Sequence, residues 1–407
     1  MEGDGLNGCE SDSVSIYTRA AEINADLWAN HLNITTGANV INSKTGQATA
    51  IATKNDSDKP QVGLDISAVG GMYAGVIELV GTEKGLGVNQ AGQIGATKAL
   101  SLEADGTLHV AGNIYSAGSM NIATDAINNY EGAHITGSDV ALNSNVINNG
   151  RNVDLEAKLQ TEQAKLKELE NALEKAYGKD VTAFTSSSQI TAYEKDIQAA
   201  GVAYDKQLAE VEKVQQELKT HQAGTINAAH SLQITADTVR NTSGAVMYSG
   251  GDMDIEAKSV LNRGAIIEAV QNGRIKADNI SNENEVFSLK RVSTKLTVNP
   301  RRIRIDQAGH SERGQAFATS EFRELGSGYG AYHNGNAGKI DDYTIIDSMS
   351  QTSWETVAIN NPAKMAAGEN LTLNGSIHNE NSWLAAGDTI TARGNSGELY
   401  LPPQMAS

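Results

Sequence analysis

The stretch MNIATDAINNYEGAHI (120–135) and its near copy VALNSNVINNGRNVDL (140–155) decide the fold. Each carries a short run of alternating apolar and polar residues that ends in Ile-Asn-Asn, at 127–129 and again 20 residues later at 147–149. Alternation at every second residue is typical of a β-strand with one buried face. Because a unit this short cannot enclose a core by itself, the repetition indicates stacked units.

The same pattern returns further along the chain. The later copies are LQITADTVRNTSG (232–244), MDIEAKSVLNRG (253–264), RIKADNISNEN (274–284) and AGENLTLNGSIHNENS (367–382). Short strands broken by turn residues make one coil of a parallel β-helix, whose coils stack about 4.8 Å apart. Asn241, Asn262 and Asn282 hold the same repeat position, which predicts a ladder of amide hydrogen bonds at one corner. A β-sandwich is the alternative, but it would not need its turn residues in register every 20 residues or so.

The glycine-rich stretch GGMYAGVIELVGTEKGLGVN (70–89) raises the question of a phosphate-binding loop. Such a loop requires Gly-Lys followed by Ser or Thr, and then a helix. GTEKGLG (81–87) lacks both features. The glycines are therefore predicted to lie at coil corners, where the backbone has positive φ or passes close to the neighbouring coil.

A different pattern begins near residue 158, where Lys, Glu, Gln, Leu and Ala dominate. Apolar residues recur there every seven positions, first at Leu159, Leu166 and Leu173 and then at Ile190, Ile197, Tyr204, Val211 and Leu218. Heptad spacing in two successive runs predicts an inserted antiparallel α-helical coiled-coil hairpin over 158–223, with its second helix from about 188 to 220. VDLEAK (153–158) is similar to the predicted strand MDIEAK (253–258), so a strand is expected just before the insertion.

Two sets of residues are candidate contact sites. Phe184, in the segment that joins the two helices, is a candidate receptor contact together with Tyr177 and Tyr193. The alternative is that these three aromatic residues pack the end of the hairpin.

The second set lies in SLKRVSTKLTVNPRRIRI (288–305), which carries six basic residues in an otherwise acidic chain. Arg301, Arg302 and Arg304 are candidate contacts for an anionic glycan or lipopolysaccharide. The alternative is the solvated face of a pair of strands.

Composition limits the function classes. The formal net charge of −17 argues against a nucleic-acid partner, since binding the phosphate backbone requires basic surface. The single cysteine, Cys9, excludes an intramolecular disulfide, and no apolar run approaches the length of a membrane span. Asp residues lie near turns and the eight histidines are scattered. We therefore expect no catalytic, metal or cofactor residues and no enzyme activity, with a β-helical lyase or glycoside hydrolase as the alternative.

Two long segments carry a family resemblance, SIYTRAAEINADLWANHLNITTGAN (15–39) and LDISAVGGMYAGVIELVGTEKGLGVNQAGQIGA (64–96). They resemble the secretion domain of two-partner-secretion exoproteins, the filamentous haemagglutinin and CdiA (contact-dependent growth inhibition) family. The 20-residue repeats resemble the haemagglutinin repeats that follow that domain. The resemblance implies a secreted right-handed parallel β-helix that is exported through an outer-membrane transporter and displayed on the bacterial surface.

The same resemblance implies a function. It implies a rigid stalk used for adhesion or for toxin delivery, with a receptor or glycan on the target cell as partner. Neither the asparagine-proline motifs of the secretion domain nor a carboxy-terminal toxin domain is recognisable. The chain alone is thus expected to be neither secreted nor toxic.

The predicted domains follow these patterns. They are the end of the secretion domain (1–110), repeats (111–157 and 224–285), the hairpin (158–223), an irregular basic and glycine-rich segment (286–366), and a resumed repeat with a tail (367–407).

Overall fold

The computed structural model describes the chain except residues 43, 52–58, 178–186, 286–288, 305–321, 325–330, 334–338, 341, 357–360 and 395–407. Its helices are α1 (Val153–Tyr177) and α2 (Ser187–Lys219). Its strands are β1 (Leu6–Gly8), β2 (Val14–Tyr17), β3 (Ala21–Ile23), β4 (Asp26–Thr36), β5 (Asn39–Ile41), β6 (Ala48–Ala50), β7 (Val62–Ile66), β8 (Gly71–Gly81), β9 (Gly87–Gln90), β10 (Gln93–Val110), β11 (Asn113–Asn129), β12 (His134–Asn149), β13 (Thr225–Thr242), β14 (Val246–Ser249), β15 (Asp252–Arg263), β16 (Ile266–Ala269), β17 (Gly273–Glu283), β18 (Leu289–Arg304), β19 (Phe322–Glu324), β20 (Ala331–His333), β21 (Lys339–Ile340), β22 (Asp342–Thr356), β23 (Lys364–Ala367), β24 (Asn370–Glu380), β25 (Trp383–Ala386) and β26 (Thr389–Arg393).

The chain divides into two compact units. The first comprises 1–157, 216–287 and 359–407, and the second comprises 158–215 and 288–358. The first unit contains a 19-stranded sheet whose pairings are all parallel, together with the short antiparallel pair β5–β6. The second contains most of both helices, the antiparallel pair β18–β22 and the antiparallel strands β19 to β21.

The register of the parallel strands is the register of the sequence repeats. Ile122 on β11 lies opposite Leu142 on β12, and Ile255 on β15 lies between Ile234 and Ile275 on its two neighbours. Each coil therefore pairs with the equivalent residues of the next coil. This arrangement agrees with the predicted all-β parallel β-helix.

The core of the first unit consists of columns of aliphatic side chains that point inward. One column is buried throughout and runs through Ile94, Ile114, Ile135, Ile226, Met247, Ile267 and Met365. Burial of each such side chain contributes about 1.5–3 kcal/mol. Because every coil adds the same inward positions, the core extends along the sheet.

The predicted asparagine ladder is confirmed. Each side-chain Nδ2 donates to the next Oδ1, at 2.7 Å from Asn129 to Asn149, 2.8 Å on to Asn241, 2.9 Å to Asn262, 2.9 Å to Asn282 and 2.7 Å to Asn379. All six side chains are buried. The position before Asn129 is held by Val110, and within the described residues Asn129 Oδ1 accepts no hydrogen bond. The ladder begins there because valine supplies no donor.

Glycines at the coil corners have the predicted role. A Cβ on Gly92 would overlap the carbonyl oxygen of Gly70, and a Cβ on Gly112 would overlap that of Gly92. In the stretch 81–87, Gly85 has φ +79°, a conformation that favours glycine. These glycines therefore allow successive coils to approach and turn.

The start of α1 corrects one expectation, because residues 153–157 are helical and do not form a strand. The Oδ1 atom of Asn152 accepts the backbone N–H of Leu155 at 3.0 Å, which is the geometry of a helix N-cap. Asp154 and Glu156 lie in the first turn, where acidic residues complement the helix dipole. Strand β12, which completes the coil, ends at Asn149. Residues 153–157 therefore do not continue a strand, although their apolar and polar residues alternate.

Both inserted segments interrupt the parallel sheet at the same corner, shortly after a ladder asparagine. The first leaves after Gly150 and returns at Gly224, whose N–H donates to Gly150 O at 2.7 Å. The second leaves after Glu285, whose N–H donates to Asn361 O at 3.0 Å. The residues that flank each insertion are thus joined by a backbone hydrogen bond.

The two helices lie side by side at one defined contact in the second unit. Gln207 Nε2 on α2 donates to the carboxylate of Glu162 on α1 at 2.7 Å and to its backbone oxygen at 3.1 Å. Heptad positions Leu166, Leu173 and Val211 are buried. Neither of these described helices has an apolar stretch long enough to cross a membrane.

Candidate functional site

The residues predicted for receptor contact lie on or between the two helices. Tyr177 is the last residue of α1, and Tyr193 is a half-buried residue of α2. Phe184 and the side chain of Tyr177 lie outside the described residues. The receptor role of these three residues therefore stays a prediction.

The predicted anion-contact arginines lie on one strand. Arg301, Arg302 and Arg304 belong to β18, and Arg304 lies opposite Asp342 on the antiparallel strand β22. A pair of strands was the expected alternative for this segment. The side chains themselves lie outside the described residues, so their contact with an anion also stays a prediction.

An exposed aromatic column crosses the first coils of the parallel sheet. Trp28 on β4 lies opposite Tyr73 on β8, Tyr73 lies opposite Gly95 on β10, and Gly95 lies opposite Tyr115 on β11. The neighbours of these residues along each strand point inward, which turns the column outward. Trp28 is 45% exposed and Tyr115 is 48% exposed. Aromatic side chains thus lie on both sides of Gly95, the position of this column that has no side chain.

Tyr73 is held by a stacked neighbour and two glycines. Its ring stacks on that of Trp28 with centroids 4.3 Å apart and planes 22° from parallel. A Cβ on Gly71 would lie 2.6 Å from Tyr73 Cε2, and a Cβ on Gly95 would lie 3.3 Å from Cδ1, so both glycines leave room for the ring. Burial raises the pKa of the Tyr73 hydroxyl above its ordinary value, and the nearby charge of Asp26 raises it further.

An open cavity of about 560 Å³ lies over this face. It is lined by Trp28, Ala29, Tyr73, Ala74, Gly75, Gln93, Ile94, Gly95, Ala96, Thr97 and Tyr115, all of them uncharged. At its edge Asn113 Nδ2 donates to Gln93 Oε1 at 3.2 Å. A cavity of this size with aromatic walls and a few polar groups has the character of a small-ligand site.

Sequence reasoning missed this face, although a signal for it exists. The triplets Leu-Trp-Ala (27–29), Met-Tyr-Ala (72–74), Ile-Gly-Ala (94–96) and Ile-Tyr-Ser (114–116) share an outward residue between two inward ones. Aligning them requires the register of the first coils. That register does not follow a constant spacing, because the pair β5–β6 and strand β7 lie between β4 and β8.

A second unusual group lies at the corner from which the helices leave. The carboxylate of Glu156 is buried and accepts hydrogen bonds from Thr242 Oγ1 at 2.6 Å and from the N–H of Arg151 at 2.7 Å. Burial raises the pKa of Glu156 despite these two hydrogen bonds, and the charge of Glu285 raises it further. This carboxylate joins the start of α1 to the sheet.

The donor set for a metal is absent from the described part of the chain. No group of three or more His, Cys, Asp or Glu side chains comes together among the described residues. Cys9 is exposed.

Comparison with known proteins gives consistent relatives. A CdiA toxin of Yersinia pestis is 39% identical over 125 residues, which is 30% of this chain and 4% of that protein. A protein named tRNA nuclease CdiA from Escherichia coli NC101 is 37% identical over 153 residues, which is 37% of this chain and 4% of that protein. A protein named 16S rRNA endonuclease CdiA from Enterobacter cloacae is 37% identical over 143 residues, 35% of this chain and 4% of that protein. No family model and no solved structure matches the chain.

These names correct one expectation and confirm another. The prediction that the protein is not an enzyme is contradicted, because relatives are named tRNA nuclease and 16S rRNA endonuclease. That prediction weighed only the residues of this chain, which spans about 4% of the length of these relatives. The resemblance stated from the sequence is confirmed, because these relatives are all CdiA proteins and each is similar to about a third of this chain.

Proposed function

We propose that the chain forms part of the rigid stalk of a secreted cell-surface exoprotein that delivers a contact-dependent growth-inhibition toxin to neighbouring bacteria. The observation that carries this proposal is the continuity of the parallel sheet across both insertions. The amide ladder passes from Asn149 to Asn241 and from Asn282 to Asn379 as if the intervening residues were absent. A sheet whose strands are hydrogen-bonded on both sides, coil after coil, resists bending.

The proposal includes two finer features of the fold. We propose that the parallel sheet winds as a right-handed β-helix, the hand that parallel strand connections almost always adopt. We also propose that α1 and α2 pair as an antiparallel coiled-coil hairpin. Their buried heptad residues and the hydrogen bond from Gln207 to Glu162 support this pairing.

The proposed partners are those of the family. They are an outer-membrane two-partner-secretion transporter for the whole protein and a receptor or glycan on the target cell, with the stalk displayed on the bacterial surface. The relatives named for nuclease activity support a nuclease as the toxin of the whole protein. The absence of a nucleic-acid partner is proposed for this acidic segment alone, on the basis of its net charge of −17.

Coil deletion in the full-length protein tests the stalk. Removing 246–265 joins Ala245 to Ile266, deletes one whole coil and keeps every later residue in register. Removing 246–255 deletes half a coil and shifts every later strand. A stalk that is one coil, or about 4.8 Å, shorter should still present its toxin. We expect growth inhibition of target cells in co-culture to stay near wild type for the whole-coil deletion and to be lost for the half-coil deletion.

Surface display, measured with an antibody on intact producer cells, is the control for both deletions. A whole-coil variant that is displayed at the wild-type level but no longer inhibits target cells would contradict the stalk role. That result would mean that the deleted coil itself performs a specific step.

A further inference from the structure

The lining of the aromatic cavity on the first coils is more specific than structural support requires. A coil needs only an inward apolar column and outward polar residues to pack and stay soluble. Here the outward positions instead hold Trp28 and Tyr115, both nearly half exposed, on either side of Gly95. Exposed aromatic rings around a cavity are the usual mark of a binding surface.

The gap at Gly95 provides the space for a ligand. Tyr73 and Tyr115 hold the same strand position two coils apart, so with strands about 4.8 Å apart their backbones are separated by about 10 Å. A side chain on Gly95 would fill the space between them. Apolar carbon atoms make their best contacts at about 3.5–4.0 Å, so a ring that is one layer thick can lie between the two tyrosines.

The residues that line the cavity indicate which class of ligand it can bind. Aromatic rings offer an apolar face that packs against the C–H groups of a sugar ring, and the phenol and indole polar groups at their edges tolerate water. The amides of Gln93 and Asn113 share one hydrogen bond, which uses the Gln93 carbonyl and one Asn113 N–H. The two N–H groups of Gln93 and the carbonyl of Asn113 thus remain as donors and acceptor for hydroxyl groups.

Charge gives no preference for an acidic sugar. All the residues that line the cavity are uncharged. One charge of each sign lies beside it: the carboxylate of Asp26 acts on Tyr73, and Cδ of Lys98 lies 3.9 Å from the position of a Cβ on Gly75. Because the two charges are of opposite sign, they leave no net field that favours an anion, and an uncharged lining suits a neutral sugar.

We propose that this cavity binds the pyranose ring of a neutral sugar between Tyr73 and Tyr115, with Gln93 and Asn113 hydrogen-bonded to its hydroxyl groups. The ring of Trp28, stacked at 4.3 Å behind Tyr73, keeps that wall in place. All the residues that line the cavity belong to the first unit, and the proposed binding does not depend on toxin delivery. It gives the first coils a sugar-binding activity of their own.

Saturation-transfer-difference NMR on the purified chain tests the proposal. The probes are methyl β-D-galactopyranoside, methyl β-D-glucopyranoside and N,N′-diacetylchitobiose, with sorbitol as a polyol that has no ring. We expect at least one of the three sugars to receive saturation at its ring C–H protons, and sorbitol to receive none. Gly95→Tyr, which fills the gap, and Tyr115→Ala, which removes one wall, should each weaken binding about tenfold or more.

Tyr248→Ala is the matched control, because Tyr248 occupies the same outward column between Asn227 and Glu268, outside the cavity. Its sugar binding should stay within about twofold of wild type. Circular dichroism checks the fold of each variant, and Gly95→Ser replaces Gly95→Tyr if the larger residue prevents folding. The proposal is overturned if no sugar receives saturation, if binding survives in both cavity variants, or if N-acetyltryptophanamide binds while the sugars do not.

Discussion

Replacing Asn149 by alanine tests what the amide ladder contributes to stability. The side chain of Asn149 accepts from Asn129 Nδ2 at 2.7 Å and donates to Asn241 Oδ1 at 2.8 Å and to Val246 O at 3.0 Å. It is fully buried, so water cannot replace these bonds in the folded chain. The alanine variant removes all three bonds and leaves a methyl group in their place.

The expected loss follows from the number of bonds. A buried hydrogen bond contributes about 1 kcal/mol net, so the three together contribute about 3 kcal/mol. Asn129 Nδ2 keeps weaker contacts with Ala133 O at 3.4 Å and Thr225 O at 3.2 Å, which limits the damage on that side. Asn241 Oδ1 loses its donor, which adds a penalty of the same order for a buried acceptor. We expect Asn149→Ala to lower the free energy of unfolding by about 3–4 kcal/mol.

The adjacent residue supplies the matched control. Asn148 is half-buried and points outward, and it donates to Asn128 Oδ1 at 2.8 Å. Since water can replace this bond, Asn148→Ala should cost less than about 1 kcal/mol. Urea unfolding followed by circular dichroism measures both variants. With a slope of about 3 kcal/mol per molar urea, the midpoint should fall by about 1 M for Asn149→Ala and by less than about 0.3 M for the control.

Equal midpoints for the two variants would refute the reasoning, because the ladder would then add nothing beyond the strand pairing. Native-state hydrogen exchange locates the effect independently. We expect faster exchange in β12 and β13, on either side of the lost rung, and unchanged exchange in β4 and β8.

Two further substitutions have defined outcomes. The raised pKa of Glu156 means that its protonated form stabilises the fold; this contribution is complete below the ordinary pKa and is lost as pH rises through the folded pKa. Glu156→Gln places a neutral amide there that can donate to Thr242 and does not ionise. The free energy of unfolding of this variant relative to wild type should therefore increase with pH, in urea unfolding between about pH 4 and pH 8. A difference that stays constant with pH would contradict this. Val110→Asn should extend the ladder to Asn129 Oδ1 and stay within about 1 kcal/mol of wild type, whereas Leu108→Asn on the same strand should cost about 3 kcal/mol. Equal costs at the two positions would mean that the new amide does not join the ladder.

The register of the repeats could be predicted because the ladder asparagine must both point inward and hydrogen-bond to the equivalent asparagine of the next coil. An inward amide is costly unless it bonds to its own copy, so Asn129, Asn149 and Asn241 can align in only one way. The aliphatic column follows once that alignment is set. Both the coil register and the ladder were therefore accessible from sequence.

The start of α1 and the aromatic face were not accessible in the same way. Alternation in VDLEAK (153–158) is equally consistent with a strand and with the first turns of a helix, and the choice depends on the cap at Asn152 and on where the previous coil ends. Trp28 lies opposite Tyr73 only because β4 pairs with β8 and passes over β5, β6 and β7, and Tyr73 comes near Tyr115 only through Gly95 on β10. No local pattern contains that information.

This corner of the sheet is suited to accept inserted segments. The residues that flank each insertion are already hydrogen-bonded to each other, Gly150 to Gly224 and Glu285 to Asn361. The sheet already holds the two ends of each insertion together. Lengthening the inserted segment therefore adds little to the free energy of closing the loop, about 0.6 kcal/mol for each doubling of a flexible loop. New segments can thus be inserted or exchanged between one ladder asparagine and the next without altering the register of the parallel strands. A lineage could vary the inserted segments while the coils that carry them stay unchanged.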